Sequence, residues 1–191
     1  MKRTLMSAAF AVVAAFTVAG CGSDTDSNDS TNSSGAQFNN ADVTFAQSMI
    51  AHHEQAVEMA TMAQERASST EVKQLADKIA AAQGPEIDTM TGWLEDWGQE
   101  APPDSESGMD HSGSDMSGMM SDADMESLGT ATGAEFDQMF LTMMIEHHTG
   151  AIEMAQTEQQ DGENPDAIAL AEKIEADQTT EIAQMEDLLR S

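Results

Sequence analysis

Residues 42–96 and 137–191 are two copies of one sequence. A shift of 95 positions aligns them without a gap, and about 21 of the 55 aligned pairs are identical. The longest match reads Met49-Ile50-Ala51-His52-His53 in the first copy and Met144-Ile145-Glu146-His147-His148 in the second, and it holds four of the five histidines. An internal duplication predicts two equivalent structural units that pack on each other.

Each copy has the pattern of two helices. In the first copy, apolar or small residues follow the three-and-four spacing of a helical face from Phe45 to Ala63, and again from Leu75 to Leu94. The polar stretch 67–70 separates the two series, and residues 161–165 do so in the second copy. Gly84-Pro85 is expected to kink the second helix of the first copy. Strand patterns are absent, so the sequence predicts an all-α fold, a four-helix bundle of two αα-hairpins.

The N-terminus has the layout of a bacterial lipoprotein signal. Lys2 and Arg3 precede an apolar run that ends in Val18-Ala19-Gly20-Cys21. This pattern predicts cleavage before Cys21, lipid attachment to that cysteine, and a mature protein tethered to the cell envelope outside the cytoplasm. Ordinary secretion with a free thiol is the alternative.

These features divide the chain into five segments. They are a signal peptide at 1–20, a disordered tether at 21–40, the first hairpin at 41–97, a flexible Met/His/Asp-rich linker at 98–133 and the second hairpin at 134–191.

The charge balance restricts the partners. Without Lys2 and Arg3 the chain keeps five basic residues against 35 acidic ones. Such a surface repels nucleic acid and anionic lipid and attracts cations. The expected partners are metal ions, the membrane through the lipid anchor alone, and an unidentified protein that receives the metal.

The repeated string is expected to lie level with a glutamate and a methionine of its partner helix. In an antiparallel hairpin with its loop near residues 68–70, His52 lies opposite Glu86, and Met49 lies opposite Met90. The corresponding residues of the second copy are His147 with Glu181 and Met144 with Met185. His52 and His53 diverge by about 100° on a helix, so one should point into the bundle and the other should lie at the edge of a groove. The spacing does not decide which.

Methionine beside histidine favours a soft cation. Thioether sulfur binds Cu(I) or Ag(I), imidazole binds Cu(I) and Cu(II), and neither requires a thiolate that would oxidise outside the cytoplasm. Methionine at helical spacing is more often a core residue, which is the expected role of Met59 and Met154 from spacing alone. The linker carries further candidate copper-collecting ligands, which are Met109, His111, Met116, Met119 and Met120.

The two copies of MI-x-HH followed by A-x-E-MA, each with a downstream Q-x-x-E-I-x-x-M, resemble the domain-of-unknown-function 305 family. The resemblance covers residues 42–191 and implies an exported, ferritin-like four-helix bundle linked in some members to copper resistance. It also implies copper or silver binding by the motif residues, which are Met49, His52, His53, Met59, Glu86, Met90, Met144, His147, His148, Met154, Glu181 and Met185.

The sequence therefore predicts an extracytoplasmic copper-binding protein for buffering, resistance or transfer of the metal, and not an enzyme. Two alternatives stay open. A metal-dependent oxidase would need several carboxylates converging in the core, for which only Glu58, Glu86 and their copies are available. A structural module of the cell envelope would use its histidines for hydrogen bonds in the core.

Overall fold

Five helices make up the part of the chain that the computed structural model describes, residues 37–102 and 116–191. They are α1 (Asn40–Arg66), α2 (Thr70–Trp97), α3 (Asp122–Thr130), α4 (Gly133–Asp161) and α5 (Pro165–Arg190). Within these ranges the only β-type pairing is an isolated bridge between Ala67 and Gly133, so the prediction of an all-helical fold is confirmed. The predicted signal peptide, Cys21 and most of the predicted tether lie outside the described residues.

Four of the five described helices begin where a short polar side chain accepts the first free amide hydrogens, and α4 begins without such a cap. Asn39 and Asp42 form a reciprocal capping box at the start of α1. Ser69 caps α2, and Asn164, its counterpart in the repeat, caps α5 just before Pro165. The α2 helix continues through Gly84 and Pro85 to Trp97.

The two hairpins, α1–α2 and α4–α5, meet mainly through α1 and α4. The N-terminal half of α1 packs with the C-terminal half of α4, so these two helices run antiparallel. One apolar cluster contains Met49 and Met90, and the other contains their copies Met144 and Met185. The repeated histidines lie between the two clusters along both central helices. The repeat thus gives a core with approximate two-fold symmetry and a polar layer at its centre.

An aspartate near the N-terminus of each central helix holds the loop of the opposite hairpin. The carboxylate of Asp42 accepts main-chain hydrogen bonds from Glu163 and Asn164, the latter at 2.9 Å. Its copy Asp137 accepts them from Ser68 and Ser69 at 3.0 and 2.9 Å. These bonds connect the hairpins at both ends of the α1–α4 contact.

The segment predicted as a flexible linker is helical in part, and for residues 116–133 that prediction is wrong. Ser121 and Asp124 form a capping box that starts α3. Leu128 is fully buried and Met120 is 8% exposed, both in the same cluster as Met144. Buried apolar side chains thus help to hold a short, otherwise polar segment on the hairpins. Residues 103–115, with Met109 and His111, lie outside the described residues.

Glu158 is a buried acid next to Asp42. It is 1% exposed, and no donor group of the described residues reaches its carboxyl oxygens. Burial, and then the neighbouring carboxylates of Asp42 and Asp161, raise the pKa of Glu158 to about 8. Burial also acts to raise the pKa of Asp42, but the main-chain hydrogen bonds and one from Glu158 outweigh it and leave that pKa lowered. Glu158 therefore keeps its proton at neutral pH, beside the ionised carboxylate of Asp42.

The raised pKa of Glu158 makes the stability of the folded state depend on pH. Between the ordinary glutamate pKa and about 8 the folded state holds a proton that the unfolded state has lost, so the contribution of Glu158 to stability decreases as pH rises. Glu158→Gln keeps a donor for Asp42 without a titratable group. We expect the variant to gain stability relative to the wild type from pH 5 to 8 in urea unfolding. Glu172→Gln, at an exposed position, is the control. A difference in stability between Glu158→Gln and the wild type that does not change with pH would contradict the raised pKa of Glu158.

Candidate metal centre

All four histidines of the repeated strings are fully buried. The expectation that one of each pair would lie at a groove edge is wrong. The reason is that each central helix has two neighbours, because α1 packs on both α2 and α4. His53 faces α2 and His52 faces α4, so two directions about 100° apart on the helix are both internal.

The second histidine of each pair contacts the glutamate of its own hairpin. His53 Nε2 lies 2.9 Å from Glu86 Oε2, and His148 Nε2 lies 2.7 Å from Glu181 Oε2. The sequence analysis matched the glutamates to the right level but paired them with His52 and its copy. Both predicted carboxylates are therefore next to the histidine layer, as hydrogen-bond acceptors.

The first histidine of each pair meets its copy across the contact between the hairpins. The ring centroids of His52 and His147 are 3.7 Å apart, and the planes are inclined by 39°. His147 and His148 are farther apart, with centroids at 6.4 Å. The closest contact within this layer therefore joins two helices from different halves of the repeat.

The acceptors that surround the rings determine which ring nitrogen carries hydrogen. The main-chain carbonyl of Ser117, 3.3 Å from His52 Nε2, can only accept, so that nitrogen donates. The Nε2 atoms of His53 and His148 likewise donate to carboxylates. In a neutral ring this leaves Nδ1 without a hydrogen and able to bind a cation, which is the case for His52 and His53.

The ring nitrogens left over have no partner among the described residues. The Nδ1 atoms of His52, His53 and His148 are buried without a hydrogen bond, and His147 has none on either nitrogen. Each unpaired buried polar atom costs about 1–3 kcal/mol. A cluster of such atoms on adjacent rings is a local arrangement that a bound cation would satisfy.

Burial keeps this layer uncharged in spite of the acidic surface. It lowers the pKa of His52 to about 3, and the proximity of His53 adds to the shift. Burial and then His52 hold the pKa of His147 well below its ordinary value. The pKa of His53 is lowered by burial even though Glu86 acts to raise it. At neutral pH these three imidazoles are therefore neutral, which is the form that coordinates metals.

Glu86 is an anion in the same network. Burial acts to raise the pKa of Glu86, but hydrogen bonds from His53 and Lys173 outweigh it and lower that pKa overall. The ammonium of Lys173 lies 2.8 Å from Glu86 Oε1. Both carboxylate oxygens are thus in use, one toward the histidine layer and one toward solvent.

The predicted methionine ligands lie in the apolar clusters on either side of the histidines. Five of the six have no exposed surface, and Met154 is half-buried; the five are Met49, Met59, Met90, Met144 and Met185. Their burial fits core packing as well as a thioether ligand. A donor set of neutral imidazoles and thioethers suits soft or borderline cations such as Cu(I), Ag(I) or Cu(II).

A short segment, the strap (residues 116–120), covers the α1–α4 side of the layer. Besides the contact of Ser117 with His52, the side chain of Gln55 holds the main chain of Met120 by two hydrogen bonds of 2.8 and 2.9 Å. The copy of Gln55 is Gly150, and a Cβ there would overlap the carbonyl oxygen of Ser117. The strap was not predicted from the sequence, although the Gln-to-Gly difference between the copies is a visible signal. It brings the predicted linker ligands Met116, Met119 and Met120 close to the histidine layer.

Carboxylates and histidines alone do not form a preassembled site here. Among residues 37–102 and 116–191, no three His, Cys, Asp or Glu side chains are grouped closely enough to hold a metal ion. A metal ion held in the histidine layer would therefore need sulfur or main-chain atoms beside the imidazoles. None of the described helices is long and apolar enough to span a membrane.

Comparison with known proteins identifies the family. The model described as Domain of unknown function (DUF305) matches residues 42–189, most of the chain. This chain belongs to the DUF305 family. A DUF305 protein of known structure from Streptomyces coelicolor is 37% identical, with a TM-score of 0.71 over 78% of this chain and 92% of that one. No curated protein matches the chain.

Two further DUF305-like structures are similar. A DUF305 fragment from Deinococcus radiodurans is 31% identical, with a TM-score of 0.70 over 79% of this chain and 96% of the fragment. CopM in its Cu(II)-bound form is 34% identical, with a TM-score of 0.67 over 78% of this chain and 95% of CopM. CopM has also been solved in Cu(I)-bound, Ag-bound and apo forms. The family therefore includes a metal-binding member.

Gly150→Ala tests the strap of this DUF305 protein. The added methyl group would displace Ser117, so we expect unfolding free energy to fall by about 1–3 kcal/mol. Amide hydrogen exchange in the strap should accelerate. Gly92→Ala, in α2 with free space around it, is the matched control and should raise stability by about 0.5–1 kcal/mol. Equal stability of Gly150→Ala and the wild type would show that the strap does not pack on α4.

The protonation state of His52 can be observed directly. At pH 5 a solvent-exposed histidine is largely charged, whereas burial should keep His52 neutral, with hydrogen on Nε2. Long-range ¹H–¹⁵N spectra of the metal-free protein distinguish the two tautomers and the cation. An imidazolium, or hydrogen on Nδ1, would contradict the assignment.

Proposed function

We propose that this protein binds copper outside the cytoplasm, with Cu(I) favoured and Ag(I) and Cu(II) as further ions of the same site. Its role is to buffer the metal, confer resistance or pass it on. The observation that carries the proposal is the His52–His147 contact: two buried, neutral imidazoles, 3.7 Å apart, with unpartnered nitrogens. Low-coordinate Cu(I) needs few donors, which agrees with the small number of nitrogens available.

We assign the ligands from the ring nitrogens that have no hydrogen-bond partner among the described residues. His52 Nδ1 and a nitrogen of His147 are the primary donors, and the Nδ1 atoms of His53 and His148 are additional ones. Thioethers of the flanking methionines complete the coordination. Met49 and Met90 supply them from one apolar cluster, and Met144 and Met185 from the other. Met59 and Met154 are farther along the chain from the histidines and are secondary candidates. Glu86 and Glu181 orient His53 and His148 rather than bind the ion.

The relatives support this role without assigning it. CopM, about one third identical to this chain, is known with Cu(I), Cu(II) and Ag bound. The hairpins of this chain form, in our proposal, the ferritin-like four-helix bundle expected for the family. A relative from Streptomyces coelicolor is named as a secreted protein, which agrees with a location outside the cytoplasm. A lipid on Cys21 would keep the domain at the membrane surface.

Binding is proposed in preference to oxidation. An oxidase centre would need carboxylates shared between metal ions, whereas Glu86 already binds both His53 and Lys173. The acidic surface and the linker ligands Met109 and His111 would gather ions at low affinity, and Met116, Met119 and Met120 of the strap are further candidate ligands close to the layer. Exchange with the histidine layer then proceeds by ligand replacement.

The double variant His52→Ala/His147→Ala tests the proposal. We expect the number of Cu(I) ions bound tightly per chain to decrease in anaerobic competition with a chelator, while circular dichroism stays unchanged. His111→Ala in the linker is the control, which should lose only weak binding. Copper should also raise the melting temperature of the wild type but not of the double variant.

Unchanged tight binding in the double variant would exclude this histidine pair as the site. A wild-type protein that neither binds copper nor gains stability from it would instead favour a structural role for the histidines.

A further inference from the structure

A cavity of about 200 Å³ lies between α2 and α5. The strap closes the side of the histidine layer formed by α1 and α4, whereas this cavity lies where the outer helices of the two hairpins face each other. Its lining includes Glu86 and Glu181, the carboxylates that accept from His53 and His148. The cavity thus ends on side chains that contact the histidine layer directly.

The acidic groups of this cavity form a series from solvent to the interior. The side chain of Asp177 is 54% exposed, that of Glu181 18% and that of Glu86 10%, and the rings of His53 and His148 behind them are fully buried. A cation that moves along this series meets a carboxylate at each stage. Negative groups of decreasing exposure, in a cleft with low-dielectric walls, focus the field that attracts a cation.

Two repeated glutamines add neutral oxygen donors. Gln83 and Gln178 line the cavity and are only 2% and 3% exposed. Among the described residues, neither atom of the Gln83 amide has a hydrogen-bond partner, nor has the carbonyl oxygen of Gln178. Buried amides are nearly always paired, so these oxygens on the cavity wall are available to a ligand.

A positive group lies beside the cavity and pairs with two of its lining carboxylates. The ammonium of Lys173 lies 2.8 Å from both Glu86 and Asp177, and its side chain is 55% exposed. This ion pair shows that a cation is favoured between the two carboxylates. The ammonium would therefore compete with an incoming ion for both of them.

We propose that the cavity between α2 and α5 is the port through which a monovalent soft cation reaches the histidine layer. Glu86, Glu181, Gln83 and Gln178 are its transit ligands. The port rests on the proposed copper function, because it serves the same site. It assigns to the residues that line the cavity a role separate from binding, since they set the rate at which the ion arrives rather than the final affinity.

Phenylalanine substitutions on the two walls of the port test this role. Ala82 lines the port and Ala81 beside it is exposed, while Thr180 lines the port and Thr179 does not. The port variants are Ala82→Phe, Thr180→Phe and their combination, and the matched controls are Ala81→Phe and Thr179→Phe. Thr180 is itself exposed, so Thr180→Phe keeps the test valid if Ala82→Phe disturbs folding.

Cu(I) uptake is measured anaerobically by stopped flow, from loss of colour of a bicinchoninate complex, and bound copper is counted at equilibrium. We expect the combined port variant to take up Cu(I) at least about tenfold more slowly than its controls, because the ion must wait for the helices to separate. Copper per chain at equilibrium should be unchanged. Lys173→Gln removes the competing ammonium and should accelerate uptake severalfold at low salt.

The outcomes separate the port from the function it serves. Equal uptake rates in folded port variants and controls, with full loading of all of them, overturn the port alone. Loss of copper at equilibrium in Thr180→Phe also overturns it, since the cavity would then be part of the binding site. A wild-type protein without uptake overturns the proposed function and the port together.

Discussion

The antiparallel contact of α1 with α4 determines the chemistry of this molecule. It removes four imidazole rings from water at the centre of a chain with a net charge of −28. Surrounding negative charge normally favours protonated histidine, yet desolvation is the larger effect, and it lowers the pKa of His52, His53 and His147. The interior therefore offers neutral nitrogen donors while the surface attracts cations. These two properties are compatible only because helix packing separates them.

A polar layer between two apolar clusters has a cost in stability, and other parts of the fold offset it. The aspartates at the two ends of the α1–α4 contact, Asp42 and Asp137, hold the loops of the opposite hairpins. The apolar clusters on both sides contain fully buried methionines, whose flexible side chains fill space around the rings.

The sequence predicted the repeat units well because their pattern is local. Helical periodicity and the caps at Ser69 and Asn164 depend on neighbouring residues, and the level of Glu86 follows from the length of the hairpin loop. The burial of both histidines could not be predicted this way, since it depends on a third helix packing on α1. The α3 helix and the strap were missed for a related reason. In a segment of mostly Ser, Asp, Gly and Met, two anchoring side chains carry too little pattern to detect.

Duplication by itself would make the two halves of the α1–α4 face equivalent. In this chain Gln55 holds the strap with its side chain, whereas its copy Gly150 leaves room for the main chain of the strap. A change of one residue in one half has thus made the two halves unequal. The consequence reaches the paired rings: among the described residues His52 has a hydrogen-bond acceptor in the strap and His147 has none, so two residues that began as copies are no longer chemically equivalent.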